Sequence, residues 1–101
     1  MVQKILIYWR DIPSQVIVQR GRQREKSLLS PRFQEAIDRA AMRAGKGGSE
    51  AYIAEWRRVS SACETQASLQ EFAMQEARRL EAEYSDDLLL QLIRNHGSAA
   101  T

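Results

Sequence analysis

Residues that commonly perform covalent or metal chemistry are scarce in this chain of 101 residues. Its only cysteine is Cys63 and its only histidine is His96, too few ligands for a four-coordinate zinc site. His96 lies beside the expected frayed end, where a nucleophilic triad would not be held in place. Asp86 and Asp87 are adjacent carboxylates, but neighbouring side chains on a helix point about 100° apart. We therefore predict a protein without catalytic residues, metal or cofactor.

The segment Tyr8-Trp9-Arg10-Asp11 has residue types suited to recognition instead. Two aromatic rings, a guanidinium and a carboxylate at the end of a strand can present an apolar surface, a donor fork and an acceptor on one rim. The alternative is structural: Trp9 packs under the helices, while Arg10 and Asp11 pair locally.

A second candidate is the basic segment 20–26, in which Arg20, Arg22, Arg24 and Lys26 recur at every second position. If this segment stays extended, all four side chains lie on one face, about 6 to 7 Å apart. Such a row of cations could meet phosphate groups. It could equally protect an edge strand against pairing with another sheet.

Trp56-Arg57-Arg58 repeats the aromatic and basic combination on a predicted helix, where the arginines could extend outward from a buried tryptophan. The predicted contact surface is built from these three segments. Its members are Trp9, Arg10, Asp11, Arg20, Arg22, Arg24, Arg57 and Arg58.

Charge and composition narrow the class of protein. Residues 1–50 carry ten basic and five acidic side chains, and residues 51–101 carry five basic and eight acidic ones. This imbalance either orients packing within the molecule or attracts an acidic partner or a nucleic acid to the basic half. A lone cysteine allows no internal disulfide and favours a reducing, cytoplasmic location. We expect no membrane span and no signal peptide.

Two apolar runs near the N-terminus predict strands. Residues 2–9 and 15–19 are rich in isoleucine and valine, and the Asp and Pro of residues 10–14 favour a loop between them. We interpret residues 22–26 as a polar connector, because Gly21 ends the second strand and the residues after it are polar. We interpret residues 59–63 as a loop, because they show no period long enough to judge.

The remaining chain has helical periodicity over residues 31–44, 49–58, 64–83 and 86–95. Ser30-Pro31 is a typical helix start, and Gly45 and Gly97 are typical stops. The pattern predicts an α+β fold, with an N-terminal β-hairpin or small antiparallel sheet covered by three to four helices. We expect one domain over residues 1–97 and a frayed tail over 98–101.

The blocks YWRDIPSQVIVQRGR, RFQEAIDRAAMRAG and AYIAEWRR resemble the bacterial virulence-factor domain family. The resemblance is close over residues 4–58 and continues in outline through Glu81 to Tyr84 and a leucine-rich final helix. It implies no known molecular activity and no catalytic residue. Small relatives often accompany genes of one-carbon and corrinoid methyl transfer, which implies an accessory subunit as one alternative.

We therefore predict a non-catalytic protein-binding or accessory module, associated through its family with virulence. One alternative is a small accessory subunit in one-carbon or corrinoid methyl transfer, held in a stable complex with a larger protein. The other is a nucleic-acid-binding domain that uses the basic segment 20–26. A homodimer formed through the edge of the hairpin is compatible with each of these.

Overall fold

A computed structural model describes residues 1–99. The chain forms β1 (Val2–Trp9), β2 (Ile12–Arg20), β3 (Gln23–Leu28), α1 (Pro31–Arg43), α2 (Ser49–Ala54), β4 (Trp56–Cys63), α3 (Leu69–Glu83) and α4 (Asp86–Arg94). The four strands make one antiparallel sheet in the order β3-β2-β1-β4. The predicted α+β class, with a small antiparallel sheet and helices, is confirmed.

The connection between β1 and β2 is shorter than the predicted loop over residues 10–14. Only Arg10 and Asp11 form the turn, and Arg10 has a left-handed backbone with φ 52°. β2 begins at Ile12 and contains Pro13, where a bulge shifts the register between the two strands. A bulge tolerates proline because the ladder is already interrupted there.

Residues 22–26, predicted as a connector, instead belong to a second hairpin. Gly21 takes φ +60° in the turn, and β3 then pairs along β2 from Gln23 to Leu28. The charged residues of β3 gave no apolar alternation to detect, because this strand lies at the edge of the sheet with most of its residues exposed.

The region 55–63 contains the largest error of the sequence prediction. The second helix ends at Ala54, not at residue 58, and the expected loop over 59–63 is part of β4. β4 runs antiparallel to β1 over its full length, from Trp9 opposite Trp56 to Val2 opposite Cys63. Pairing with a distant strand stabilises this segment, and no local pattern encodes that contact.

The three longer helices supply one side of the core, as their apolar stripes predict. Buried stripe residues are Phe33, Ala36, Ile37, Ala40 and Ala41 on α1, Leu69, Phe72, Ala73, Ala77 and Leu80 on α3, and Leu89, Leu92 and Ile93 on α4. They pack with Leu6, Val16 and Val18 of the sheet in one cluster. α3 begins at Leu69 rather than at residue 64, because Ser68 caps it by accepting a hydrogen bond from the amide of Glu71.

In the part of the chain from residue 1 to residue 99, no helix is long and apolar enough to cross a membrane. The end of α4 is tied back to the sheet: the amide of Asp11 donates to Gly97 O, and the amide of Ala99 donates to Asp11 Oδ2. The tail expected to fray comprises residues 98–101. Residues 98 and 99 are described by the structure, and residues 100 and 101 lie outside the described residues.

Candidate binding surface

Trp9, the first predicted contact residue, lies inside the molecule with none of its surface exposed. Its indole Nε1 donates to the carbonyl oxygen of Tyr52 at 2.9 Å, and the two rings stack with centroids 5.9 Å apart. Trp56 meets Tyr52 edge to face at 5.8 Å. These contacts hold α2 against the end of the sheet, so Trp9 is an anchor of the core and presents no ring to a partner.

Arg10 and Asp11 also turn their polar groups toward the protein. Arg10 donates to His96 O at 2.9 Å and forms an ion pair with Glu55 at 3.3 Å. Asp11 pairs with Arg57, whose Nη2 lies 2.9 Å from Asp11 Oδ1. The predicted rim is therefore a junction that joins the first turn to β4 and to the end of α4, as in the structural alternative.

The row of cations over residues 20–26 is divided by the turn at Gly21. Arg20 lies opposite Gln23, on the same face as Val16 and Val18, and reaches toward Thr65 O at 3.5 Å. Arg22 lies in the turn. The prediction that Arg20, Arg22, Arg24 and Lys26 share one face is wrong, because the chain reverses direction between the second and third strands.

Arg24 and Lys26 do share a face, the one opposite the core. Arg24 pairs with Gln19 and Lys26 with Ile17, and Ile17 in turn pairs with Ile5 of β1. Ile5 and Ile17 are only 3% and 5% exposed, yet they lie outside the main core cluster. The sheet presents them on the side opposite Val16 and Val18 of the core cluster.

This second side of the sheet, which we call the open face, takes three residues from each strand by the alternation of strand side chains. Its members are Gln3, Ile5 and Ile7 of β1, Gln15, Ile17 and Gln19 of β2, Arg24, Lys26 and Leu28 of β3, and Arg58, Ser60 and Ala62 of β4. Leu28 is 67% exposed, a large apolar side chain in contact with solvent. The open face has an apolar centre between two edges that carry the cations.

The charge on the open face has one sign. Arg24, Lys26 and Arg58 are exposed, their side chains make no hydrogen bond or ion pair to any residue within 1–99, and no acidic residue belongs to the face. By contrast, Lys4 on the core side of the same sheet pairs with Glu76 at 3.5 Å. Unpaired cations beside exposed apolar surface are a typical arrangement for contact with an acidic partner.

Arg57 and Arg58 are neighbours in sequence but lie on opposite sides of β4. Arg57 faces the core side, where its guanidinium lies 4.6 Å from the ring centre of Tyr8 and its Nε donates to Arg10 O at 2.7 Å. Arg58 pairs with Ile7 on the open face. Of the eight predicted contact residues, Arg24 and Arg58 are therefore the ones exposed on the open face, since Trp9, which follows Ile7 in the same alternation, is fully buried.

A groove of about 430 Å³ runs beside β4 on the core side. Its walls include Tyr8, Arg57, Val59, Tyr84, Leu88 and Leu92. Burial, the largest cause, raises the pKa of Tyr84 above its ordinary value. The groove combines aliphatic and aromatic walls with the paired guanidinium of Arg57 and carboxylate of Asp11.

Lys26 lies on the open face but was left out of the predicted contact surface. The sequence carries a signal for this face in the alternation of Gln15, Ile17 and Gln19 and of Arg24, Lys26 and Leu28. The signal is visible only when residues 23–28 are recognised as a strand.

Over residues 1–99, no group of three or more His, Cys, Asp and Glu side chains is arranged to hold a metal ion.

Comparison with known proteins gives a family and no solved relative. A family model described as Virulence factor matches residues 7–93, from β1 nearly to the end of α4. No curated protein and no solved structure matches the chain significantly. The matched segment includes most of the sheet and the helices that pack on it. The chain therefore belongs to the virulence factor family.

Proposed function

We propose that this protein is a non-catalytic binding module whose open face holds an acidic surface of another protein. The observation that carries the proposal is the uniform charge of that face: Arg24, Lys26 and Arg58 are exposed without an internal partner, and no carboxylate lies among them. The exposed cations give electrostatic attraction at the edges of the face, and the exposed Leu28 with the half-buried Ile7 gives apolar contact beside them.

The other predicted basic residues support this assignment by their internal roles. Arg10 and Arg57 neutralise Glu55 and Asp11 and hold the first turn, so a partner would have to break existing contacts to use them. The open-face cations are free to pair without that cost. Substituting them should consequently change binding while it leaves folding nearly unchanged, because exposed charges contribute little to stability.

The test compares three forms of the purified protein as bait in a lysate of the source cells at low and high salt. The open-face variant carries Arg24→Gln, Lys26→Gln and Arg58→Gln. The control carries Arg39→Gln and Arg43→Gln of α1 with Arg78→Gln of α3, exposed arginines elsewhere that give the same change in net charge. Bound proteins and nucleic acids are both identified.

We expect a defined protein to be retained by the wild type and the control and lost by the open-face variant. Retention by all three forms, or equal loss from both variants, would contradict the proposal. Weaker retention at high salt is expected, since screening acts on exposed charges.

A nucleic acid is the second candidate, favoured by the same three cations. It would appear as bound RNA or DNA that is lost from the open-face variant and falls steeply with salt, because phosphate contacts release counterions. The twelve residues around the cations include no aromatic side chain on which bases could stack, and Trp9 and Trp56, which come next in the same alternation, are packed on Tyr52. That composition supports a protein partner over a nucleic acid.

A further inference from the structure

The two edges of the sheet are protected differently. At the β3 edge, Arg24, Glu25 and Lys26 put three charges in succession, and α3 packs along the strand. At the β4 edge, the five residues 59–63 carry no charge and no proline. All of β4 between its two ends is exposed. Apart from Arg57 and Arg58 near its first end, β4 is therefore an uncharged and uncovered edge strand, and such a strand is a template for a further strand.

The hydrogen-bond register shows which groups of β4 are free. The amide of Arg10 donates to Glu55 O at 3.1 Å. Arg10 and Glu55 are the pair that follows Trp9 and Trp56 in the register of β1 and β4. Because hydrogen-bonded and non-hydrogen-bonded pairs alternate in an antiparallel ladder, Arg57, Val59 and Ser61 bond to β1. Trp56, Arg58, Ser60 and Ala62 then direct their backbone N–H and C=O groups away from the sheet.

An independent bond gives the same assignment. The amide of Leu29 donates to Ser14 O at 3.1 Å, which fixes the pairs between β2 and β3. Successive residues of a strand bond alternately to its two neighbours. The backbone groups of Ile5 and Ile7 in β1 therefore bond to β2, and those of Leu6 and Tyr8 bond to β4. Leu6 and Tyr8 lie opposite Val59 and Arg57, as the first argument requires.

Side chains of an added strand would alternate between two different environments. On one side they would meet the cationic open face at Arg58. On the other they would meet the groove, whose nearest wall is Val59, 41% exposed, with Leu88 and Leu92 behind it. Backbone pairing gives affinity in this mode of recognition, and the alternating side chains give specificity.

We infer that an extended segment of the partner protein adds to the sheet along β4, with acidic side chains toward Arg58 on the open face and apolar side chains in the groove. This rests on the proposed function, because it specifies how the acidic partner is held. Charge favours this occupant over a second copy of the chain. Pairing two β4 strands would join two cationic open faces edge to edge.

A phage-displayed library of random twelve-residue peptides, selected on the wild-type protein, tests the inference. We expect the enriched peptides to alternate acidic with apolar residues. Their affinities are then measured for the wild type and for Ser60→Pro, which removes one outward N–H without removing a bond to β1. Ser60→Ala, which keeps that N–H, is the matched control.

We expect Ser60→Pro to weaken peptide binding by about tenfold or more and Ser60→Ala to change it little. If Ser60→Pro does not fold, Ala62→Pro removes the next outward N–H and replaces it in the test. The inference is overturned if selection enriches no alternating acidic peptide, if the proline variants bind as tightly as the wild type, or if sedimentation shows the chain pairing with itself through β4.

The same peptides separate this inference from the proposed function. Binding that depends on Arg24, Lys26 and Arg58 but not on the Ser60 amide leaves the acidic partner intact and excludes strand addition. Binding that depends neither on the three cations nor on the Ser60 amide contradicts both the proposed function and the strand addition.

Discussion

Gly97 offers a direct test of the buried position of Trp9. Its backbone has φ +91°, and a Cβ atom there would lie 2.8 Å from Cζ3 and 3.1 Å from Cε3 of the Trp9 ring. Real Cβ atoms essentially never approach so closely. Because Trp9 is completely buried and stacked on Tyr52, the ring cannot move aside without disturbing the core.

We expect Gly97→Ala to lower the free energy of unfolding by about 2 to 5 kcal/mol. About 1 to 2 kcal/mol comes from a side chain in the left-handed region, and about 1 to 3 kcal/mol from overpacking against the ring. Gly45→Ala is the matched control. Gly45 has φ +71° but no atom within 4 Å of the added Cβ, so only the first contribution of about 1 to 2 kcal/mol applies.

Urea unfolding of the wild type and both variants, followed by tryptophan fluorescence and circular dichroism, measures the difference. The dependence of the unfolding free energy on urea concentration must be the same in the three proteins, so that a shift of the urea midpoint reports a change of stability alone. Equal losses in Gly97→Ala and Gly45→Ala would refute the packing of Gly97 on Trp9, and with it the attachment of the end of α4 to the first turn.

Three further substitutions test the helix contacts by thermal or urea unfolding. Burial alone would raise the pKa of Glu81, but hydrogen bonds from the amide and hydroxyl of Ser30 and from Arg32 outweigh it and hold the pKa below its ordinary value. Glu81→Gln should therefore cost about 1 to 3 kcal/mol at neutral pH. That difference should be present above the unfolded pKa of about 4.3 and vanish as the pH falls through the lower folded value; a constant difference would contradict it. Ala40→Leu should cost about 1 to 3 kcal/mol, because Ala40 is fully buried on α1, and an unchanged midpoint would contradict that packing. Ser85→Ala removes the cap of α4 and should cost about 0.5 to 2 kcal/mol, whereas full stability would show that the cap is dispensable.

The helices were predictable because their signals are local. The stripe that includes Phe33, Ile37 and Ala41 recurs with the helical period, and burial follows it. Pro31 at the first helical position and the cap Ser85 mark helix starts by local chemistry, whereas the Ser30 hydroxyl makes no cap bond and donates to the distant Glu81. The first two strands were predictable for a similar reason, since runs of β-branched residues favour extended backbone.

The edge strands were not predictable in the same way. Val59-Ser60-Ser61-Ala62 has little apolar alternation, because β4 is exposed between its ends and buries almost nothing. Its conformation depends on β1, some fifty residues earlier, which lies inside the sheet and needs partners on both sides. A pairing across that separation leaves no signal at short range.

The candidate contact surface was only partly predictable for a related reason. Residue type drew attention to arginines, but the direction of each side chain depends on strand register, and a one-residue step reverses the face. Arg57 and Arg58 illustrate the effect: one stabilises the first turn and the other lies on the open face. Arg20 and Arg24 are separated likewise by the turn at Gly21.

Amide hydrogen exchange along β4, followed by NMR with and without a selected peptide, tests most directly whether this edge receives a partner strand. In the free protein we predict slow exchange at Val59 and Ser61, and fast exchange at Arg58, Ser60 and Ala62. Addition of the peptide should slow the three fast amides and leave the other two nearly unchanged. Uniformly slow exchange along free β4, or fast amides that stay fast when the peptide is bound, would contradict strand addition.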